Sequence, residues 1–179
     1  MPEFDDAEGL RRAYENIDGN DSYIRGNTMY VRGSVTASDW LHDDPLLPLG
    51  GWGTRQTYRY QTVARTLKAN PQVRRIVGHS LSSAVALQIQ KDNPGKYETT
   101  AYSSPIFSVF GEGGDRVRSV FDPIAMFDTK ARTKVTGTLN PHTYTEIAAG
   151  RQSRAYADDI ATRDGDGYRN QDGSISLFR

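Results

Sequence analysis

The sequence predicts a single-domain α/β protein with a mostly parallel sheet covered by helices on both faces. Three observations predict it. Short apolar or β-branched runs at 28–31, 73–77, 98–104 and 117–121 alternate with segments whose apolar residues recur at helical spacing. At 179 residues the chain has the size of one domain able to bury a core. Finally, residues 73–90, VRRIVGHSLSSAVALQIQ, read in succession as a buried strand, a tight turn and a helix.

Taken in order, 8–17 is the first expected helix, because Leu10, Ala13, Tyr14 and Ile17 share one face and Asp18-Gly19-Asn20 stops it. Its role is packing. A short strand at 28–31, TMYV, opens into Arg32-Gly33-Ser34. The stretch 45–53, PLLPLGGWG, combines proline, glycine and large apolar side chains. It is expected to be an irregular loop, and exposed apolar loops mark binding surfaces or lids, so 45–53 is the candidate for transient contact with a lipid surface. Residues 54–68 carry Tyr60, Val63, Ala64 and Leu67 at helical spacing, with Thr54 placed to cap the helix and Asn70-Pro71 to end it.

In the central stretch, Ile76 and Val77 suit a strand buried on both faces, and Gly78 permits a sharp reversal. Leu81, Ala84, Val85, Ala86 and Ile89 then form a helix ending at Asn93-Pro94-Gly95. A strand at 98–104, a turn at 111–114, a strand at 117–121 and another at 135–139 follow. The domain division expected is a minimal domain over 1–150 and a polar extension over 151–179, part of the same domain or an interaction arm. A mean hydropathy of −0.65 agrees with part of the chain lying outside the core. Within that extension DGDGYRNQDG resembles a calcium loop, but Tyr168 and Ile175 occupy ligand positions, so turns are expected. The terminal ISLF is suited to an edge strand or to pairing with another subunit, which makes the tail the candidate for oligomerisation.

Composition narrows the function. Lys plus Arg and Asp plus Glu are both 22, so no basic footprint for nucleic acid exists. Cysteine is absent, which removes a thiol nucleophile, disulfides and zinc–thiolate sites. The start, MPEFDDAEGL, is acidic where a signal peptide is basic and then apolar, and no run approaches the ~18 apolar residues of a membrane span. The expectation is a soluble, unexported chain, with the cytoplasm preferred.

The strand–turn–helix at 73–90 has the form of a nucleophile elbow carrying Ser80. A serine there sits on a strained turn beside helix-start amides that can receive a developing negative charge, and the chemistry favoured is acyl transfer. Without that context, Ser80 would be an ordinary helix cap. The nucleophile needs a base, normally histidine, and an acid to orient it. The chain has three histidines. His79 is the nucleophile's own neighbour and His42 lies upstream, whereas elbow hydrolases run in the order Ser, acid, His, which selects His142 in Asn140-Pro141-His142. Between Ser80 and His142 the acids to consider are Asp115, Asp122 and Asp128. Asp122 ends a strand and precedes Pro123, the placement suited to a sheet-mounted acid; Asp128 is the reserve, and Asp115 reads as a turn residue.

Four segments together resemble the class 3 lipases, the fungal-type triacylglycerol lipase family of α/β-hydrolases. MYVRGSVTASDWLHDD is similar to that family's apolar strand followed by Arg-Gly-Ser/Thr and Asp-Trp-Leu; IVGHSLSSAVA to its Gly-His-Ser-Leu-Gly-Gly elbow; VRSVFDPIAMF to its strand ending in Asp-Pro; and NPHTY to its terminal histidine loop. Order and much of the spacing agree over 28–144. The resemblance implies an α/β-hydrolase fold and a triad of Ser80, Asp122 and His142. It also implies an oxyanion hole from the Leu81 backbone amide and from Ser34, and structural roles for Asp39 and Trp40. No metal or organic cofactor is implied. Ser82 and Ser83 depart from the family's two glycines, which predicts a slightly displaced elbow. The chain is shorter than a typical member, which argues against long-chain, interface-activated lipolysis. The expected function is carboxylic ester hydrolysis through an acyl-enzyme on Ser80, with lipid or phospholipid esters as substrates. The alternatives are a catalytically silent hydrolase fold used for binding or assembly, and an acyltransferase using the same triad.

Overall fold

A computed structural model describes residues 5–15, 21–33, 50–105, 114–119, 131–134, 148, 168–169 and 175–176. The first helix, α1, is Asp6–Glu15. Its start follows from Asp5-Asp6-Ala7-Glu8, in which Asp5 Oδ1 accepts the Glu8 N–H at 2.9 Å and so satisfies a helix-start donor. Two strands follow, β1 (Ser22–Arg25) and β2 (Thr28–Val31), paired antiparallel across Gly26-Asn27 with Arg25 opposite Thr28. Only β2 was expected from the sequence. The glycine–asparagine pair between two short runs is the signal that marks the hairpin, and Gly26 at φ 55 takes the left-handed turn conformation.

Helices α2 (Gly50–Gln56) and α3 (Tyr58–Ala69) precede β3 (Arg75–His79), α4 (Leu81–Asp92) and β4 (Glu98–Tyr102). Strands β5 (Asp115–Ser119) and β6 (Arg132–Lys134) complete a sheet of order β1-β2-β3-β4-β5-β6, in which every pair except β1 and β2 is parallel. The register sets Val31 beside Gly78 and His79 beside Tyr102, so β2, β3 and β4 end together at their carboxyl edge.

Successive strand residues face opposite sides, and two separate cores result. On one face Met29, Val31 and Ile76 pack with Val63 and Leu67 of α3 and with Val85, Ala86 and Ile89 of α4. On the other, Tyr30, Val77, Tyr102 and Val117 pack with Leu10 and Ala13 of α1. α1 lies so close to the sheet that a side chain at Gly9 would run into the Tyr30 ring. Each large side chain so enclosed contributes about 1.5–3 kcal/mol of burial free energy.

The expected irregular loop at 45–53 and the helix from Thr54 both need correction. Residues 45–49 lie outside the described residues, but Gly50 to Gly53 are already helical, and the chain breaks at Thr57 instead. Thr57, at φ −66 and ψ 144, caps α3 by accepting the Tyr60 N–H at 3.1 Å, while its own hydroxyl donates to the Thr54 carbonyl at 2.7 Å. Glycine-rich GGWG has poor intrinsic helix propensity, and packing of α2 as a whole against α4 overrides it. Because α2 and α3 cover its outer side, α4 is buried all round from Leu81 to Ile89.

Asp92, at the end of α4, ties the three helices together. It accepts from Arg55 Nε at 2.8 Å, the Tyr60 hydroxyl at 2.6 Å and Gln88 Nε2 at 2.8 Å. The Arg55 hydrogen bond, helped by Tyr60 and Gln88 and opposed by partial burial, holds its carboxyl at about 2, below the ordinary 3.8. Burial first, and Asp92 second, push the Tyr60 hydroxyl up to about 12. A carboxylate depressed in the folded state stabilises the fold above its unfolded value, and that contribution is lost as pH falls from about 4 towards 2. Asp92→Asn is expected to cost about 1 kcal/mol at pH 7, roughly 2–4 °C in Tm. Thermal melts of parent and variant should converge near pH 2.

A buried pair joins α1 to the sheet. Arg75 donates to both oxygens of Asp6, at 2.7 Å each, and to Thr100 Oγ1 at 2.8 Å, while the Tyr102 hydroxyl donates to Asp6 at 2.8 Å. Burial alone would strip the guanidinium of its proton more easily, but the Asp6 hydrogen bonds and charge outweigh it and raise its pKa. Burial, then the Asp6 charge, pushes the Tyr102 phenol well above its usual range.

Elsewhere, Asp115 is the first residue of β5 and not a turn residue; its carboxylate takes hydrogen bonds from Arg132 of β6 at 2.6–3.0 Å. The expected strand at 135–139 lies outside the described residues, directly after β6. In the tail, β7 (Tyr168–Arg169) and β8 (Ile175–Ser176) pair antiparallel with each other. Ile175–Ser176, the described part of the terminal ISLF, therefore pairs with Tyr168–Arg169 and not with the edge of the main sheet. Among the described residues no helix is long and apolar enough to cross a membrane.

Candidate active site

The carboxyl edge of β3 is where the chain is forced out of ordinary backbone geometry. Ser80, between β3 and α4, has φ 55 and ψ −129, a conformation that an L side chain adopts at a cost of about 1–3 kcal/mol. Two hydrogen bonds hold it there: the Ser80 N–H donates to the Tyr102 carbonyl at 2.9 Å, and the Ser80 carbonyl accepts the Ser83 N–H at 2.9 Å. The Ser80 hydroxyl makes no capping bond to α4. A helix-capping serine would have extended backbone and such a bond, so capping does not explain this residue.

Gly78 allows the reversal. A Cβ built on it would lie 2.6 Å from the Ser82 carbonyl oxygen, so the first turn of α4 rests directly on the end of β3. The two serines that stand where glycines were expected do not push the helix away. Ser83 Oγ lies 2.9 Å from the Gly78 carbonyl and 2.8 Å from the Tyr102 carbonyl, and Ser82 Oγ donates to the Arg32 carbonyl. Both are fully buried with their hydroxyls satisfied. As the first residue of α4, Leu81 has no acceptor within the helix for its N–H, which leaves that donor beside Ser80.

The end of β2 is brought against the same turn. A Cβ built on Gly33 would sit 2.8 Å from Ser80 Cβ and 2.9 Å from the His79 carbonyl oxygen, so only glycine fits there. Arg32 is secured by Asp21, whose Oδ1 accepts its Nε at 2.8 Å, and the buried Arg59 of α3 donates to the Arg32 carbonyl at 2.9 Å. His79 turns to the α1 side of the sheet, where its Nδ1 lies 2.6 Å from the Tyr14 hydroxyl.

Of the residues singled out from the sequence, the structure thus brings together Ser80, Leu81 and the glycine preceding Ser34. Ser34 itself, Asp39, Trp40, His42, Asp122, Asp128 and His142 lie outside the described residues. Tyr14 and Arg59 were missed as members of this neighbourhood. Tyr14 is legible only as one apolar position of an amphipathic helix, and Arg59 only as a polar position near a helix start.

A strained serine between a parallel strand and a buried helix, in a mostly parallel sheet, is the frame of a hydrolytic enzyme. A family model described as "Putative esterase" matches residues 60–167. The chain belongs to this esterase family. The six-stranded α/β sheet is that of an α/β-hydrolase fold, and the family assigns ester hydrolysis in general and a small-molecule ester as substrate. The esterase match runs from α3 through the elbow and over the positions of Asp122 and His142, and it starts after Ser34. No curated protein matches the chain.

Proposed function

We propose that this esterase cleaves carboxylic esters through an acyl-enzyme on Ser80, with His142 as general base and then acid and Asp122 as its orienter. The observation that carries the reading is the backbone of Ser80, buried, at positive φ and without a capping role, at the carboxyl edge of β3. In this mechanism Ser80 Oγ attacks the ester carbonyl while His142 takes its proton. The tetrahedral oxyanion is met by the Leu81 N–H and by Ser34, each donor contributing about 2.7–4 kcal/mol to the transition state. His142 returns the proton to the leaving alcohol, and water repeats the sequence to release the acid.

The finer reading, that the esters are those of lipids or phospholipids, is supported by the likeness of four segments to class 3 lipases and by the apolar stretch 45–53, which suits brief contact with a lipid surface. A fluorophosphonate probe tests the mechanism. The parent should take up one equivalent, mapped by mass spectrometry to the peptide carrying Ser80, and His142→Ala should lose it. A folded parent that takes up no probe would overturn the acyl-enzyme reading. Fatty-acyl esters of increasing chain length then test the lipid assignment, with kcat/KM expected to rise from acetyl to medium-chain esters and to gain nothing further from long chains or a lipid interface.

A further inference from the structure

One peptide unit beside Ser80 is gripped at both of its polar ends. Its carbonyl, that of Arg32, accepts from the Ser82 hydroxyl and from Arg59. Its N–H, that of Gly33, donates to the Tyr14 hydroxyl at 2.9 Å. Tyr14 is in turn held by His79, hydroxyl to Nδ1 at 2.6 Å, with the two rings edge to face at 5.9 Å. A hydroxyl has one donor and two acceptor sites, so Tyr14 serves both Gly33 and either tautomer of His79. His79 and Ser82 flank the elbow on either side of Ser80, so the grip on the 32–33 peptide comes from the nucleophile's own turn.

We propose that Tyr14 and Ser82 are positioning residues that clamp the 32–33 peptide onto the Ser80 turn, and so hold Ser80 and the Leu81 N–H in the arrangement that an oxyanion requires. This rests on the reading of Ser80 as the nucleophile. Rotating the peptide plane would break the bonds at both ends, and Gly33, packed against Ser80 Cβ, leaves no room to slide. Ser82 thereby acquires a task that a glycine could not perform. Pre-organised donors act only if they are aimed before the charge develops, so loosening the peptide weakens transition-state binding and leaves substrate binding intact.

The test compares Tyr14→Phe, Ser82→Ala and the double variant with the parent in kcat, KM, Tm and affinity for a trifluoromethyl ketone, which forms a tetrahedral oxyanion on an active serine. Each single variant should lose about 10-fold in kcat with KM within about 2-fold of the parent. The double should approach the ~10^2- to 10^3-fold loss of an oxyanion donor, and ketone affinity should fall in step with kcat. Variants that keep the parent's kcat and ketone affinity would overturn the proposal, as would losses that follow Tm or appear mainly in KM. Should Tyr14→Phe fail to fold, Ser82→Ala, which removes a single oxygen, decides alone. Failure of the Ser80 reading has a different signature, a parent that takes up no fluorophosphonate.

Discussion

Ser80→Ala is expected to lower kcat on a chromogenic ester by about 10^4- to 10^6-fold while leaving the melting temperature close to that of the parent. The activity loss follows from removing the attacking oxygen. The unchanged stability follows because alanine inherits the same backbone at φ 55 and ψ −129, strained for any side chain with a Cβ. Ser80→Gly separates the two effects. Glycine adopts positive φ without the Cβ penalty, so this variant should be equally inactive yet more stable than the parent by about 1 kcal/mol, roughly 2–4 °C in Tm. A gain in stability on removing the serine would identify the turn as strain kept for function. If Ser80→Ala retained full ester cleavage, the nucleophile would lie elsewhere in the chain.

Asp6→Ala carries the largest expected effect on the fold. It leaves the Arg75 guanidinium enclosed between α1 and the sheet without its two carboxylate contacts, and it removes the acceptor of the Tyr102 hydroxyl. Breaking one side of a buried pair costs about 3–5 kcal/mol, chiefly through the uncompensated charge, and corresponds to a drop of roughly 10–15 °C in Tm. Replacing both partners by apolar residues, Asp6→Leu with Arg75→Met, should cost far less, because desolvation of the pair offsets most of its attraction. Urea denaturation of the three proteins checks both statements. Equal losses in the single and double variants would show that the pair is stabilising in its own right.

Ser80 and Leu81 were legible because the elbow is a local pattern. Ile76 and Val77, Gly78, the serine and the apolar run to Ile89 follow one another within a few residues, and each step has a direct physical meaning: β-branched burial, steric permission to turn, helical periodicity. The same holds for β2 and for the end of α4 at Asn93. The break at Thr57 was less legible, since Thr54 and Thr57 are both competent caps and packing of α2 against α4 chose between them.

What the sequence by itself determined is the alternation of strands and helices, the turn at Gly78-His79-Ser80 and the chemistry that a serine on such a turn supports. Only the tertiary structure decided what holds that turn. Tyr14 meets His79 across 65 positions, and Ser82 meets the Arg32 carbonyl across 50. In each case neither residue has a local feature that names its partner. They meet because the parallel order β2-β3-β4 ends three strands at one edge, with α1 against one face of the sheet and α4 against the other, so side chains of ordinary helix positions converge on the 32–33 peptide and the elbow.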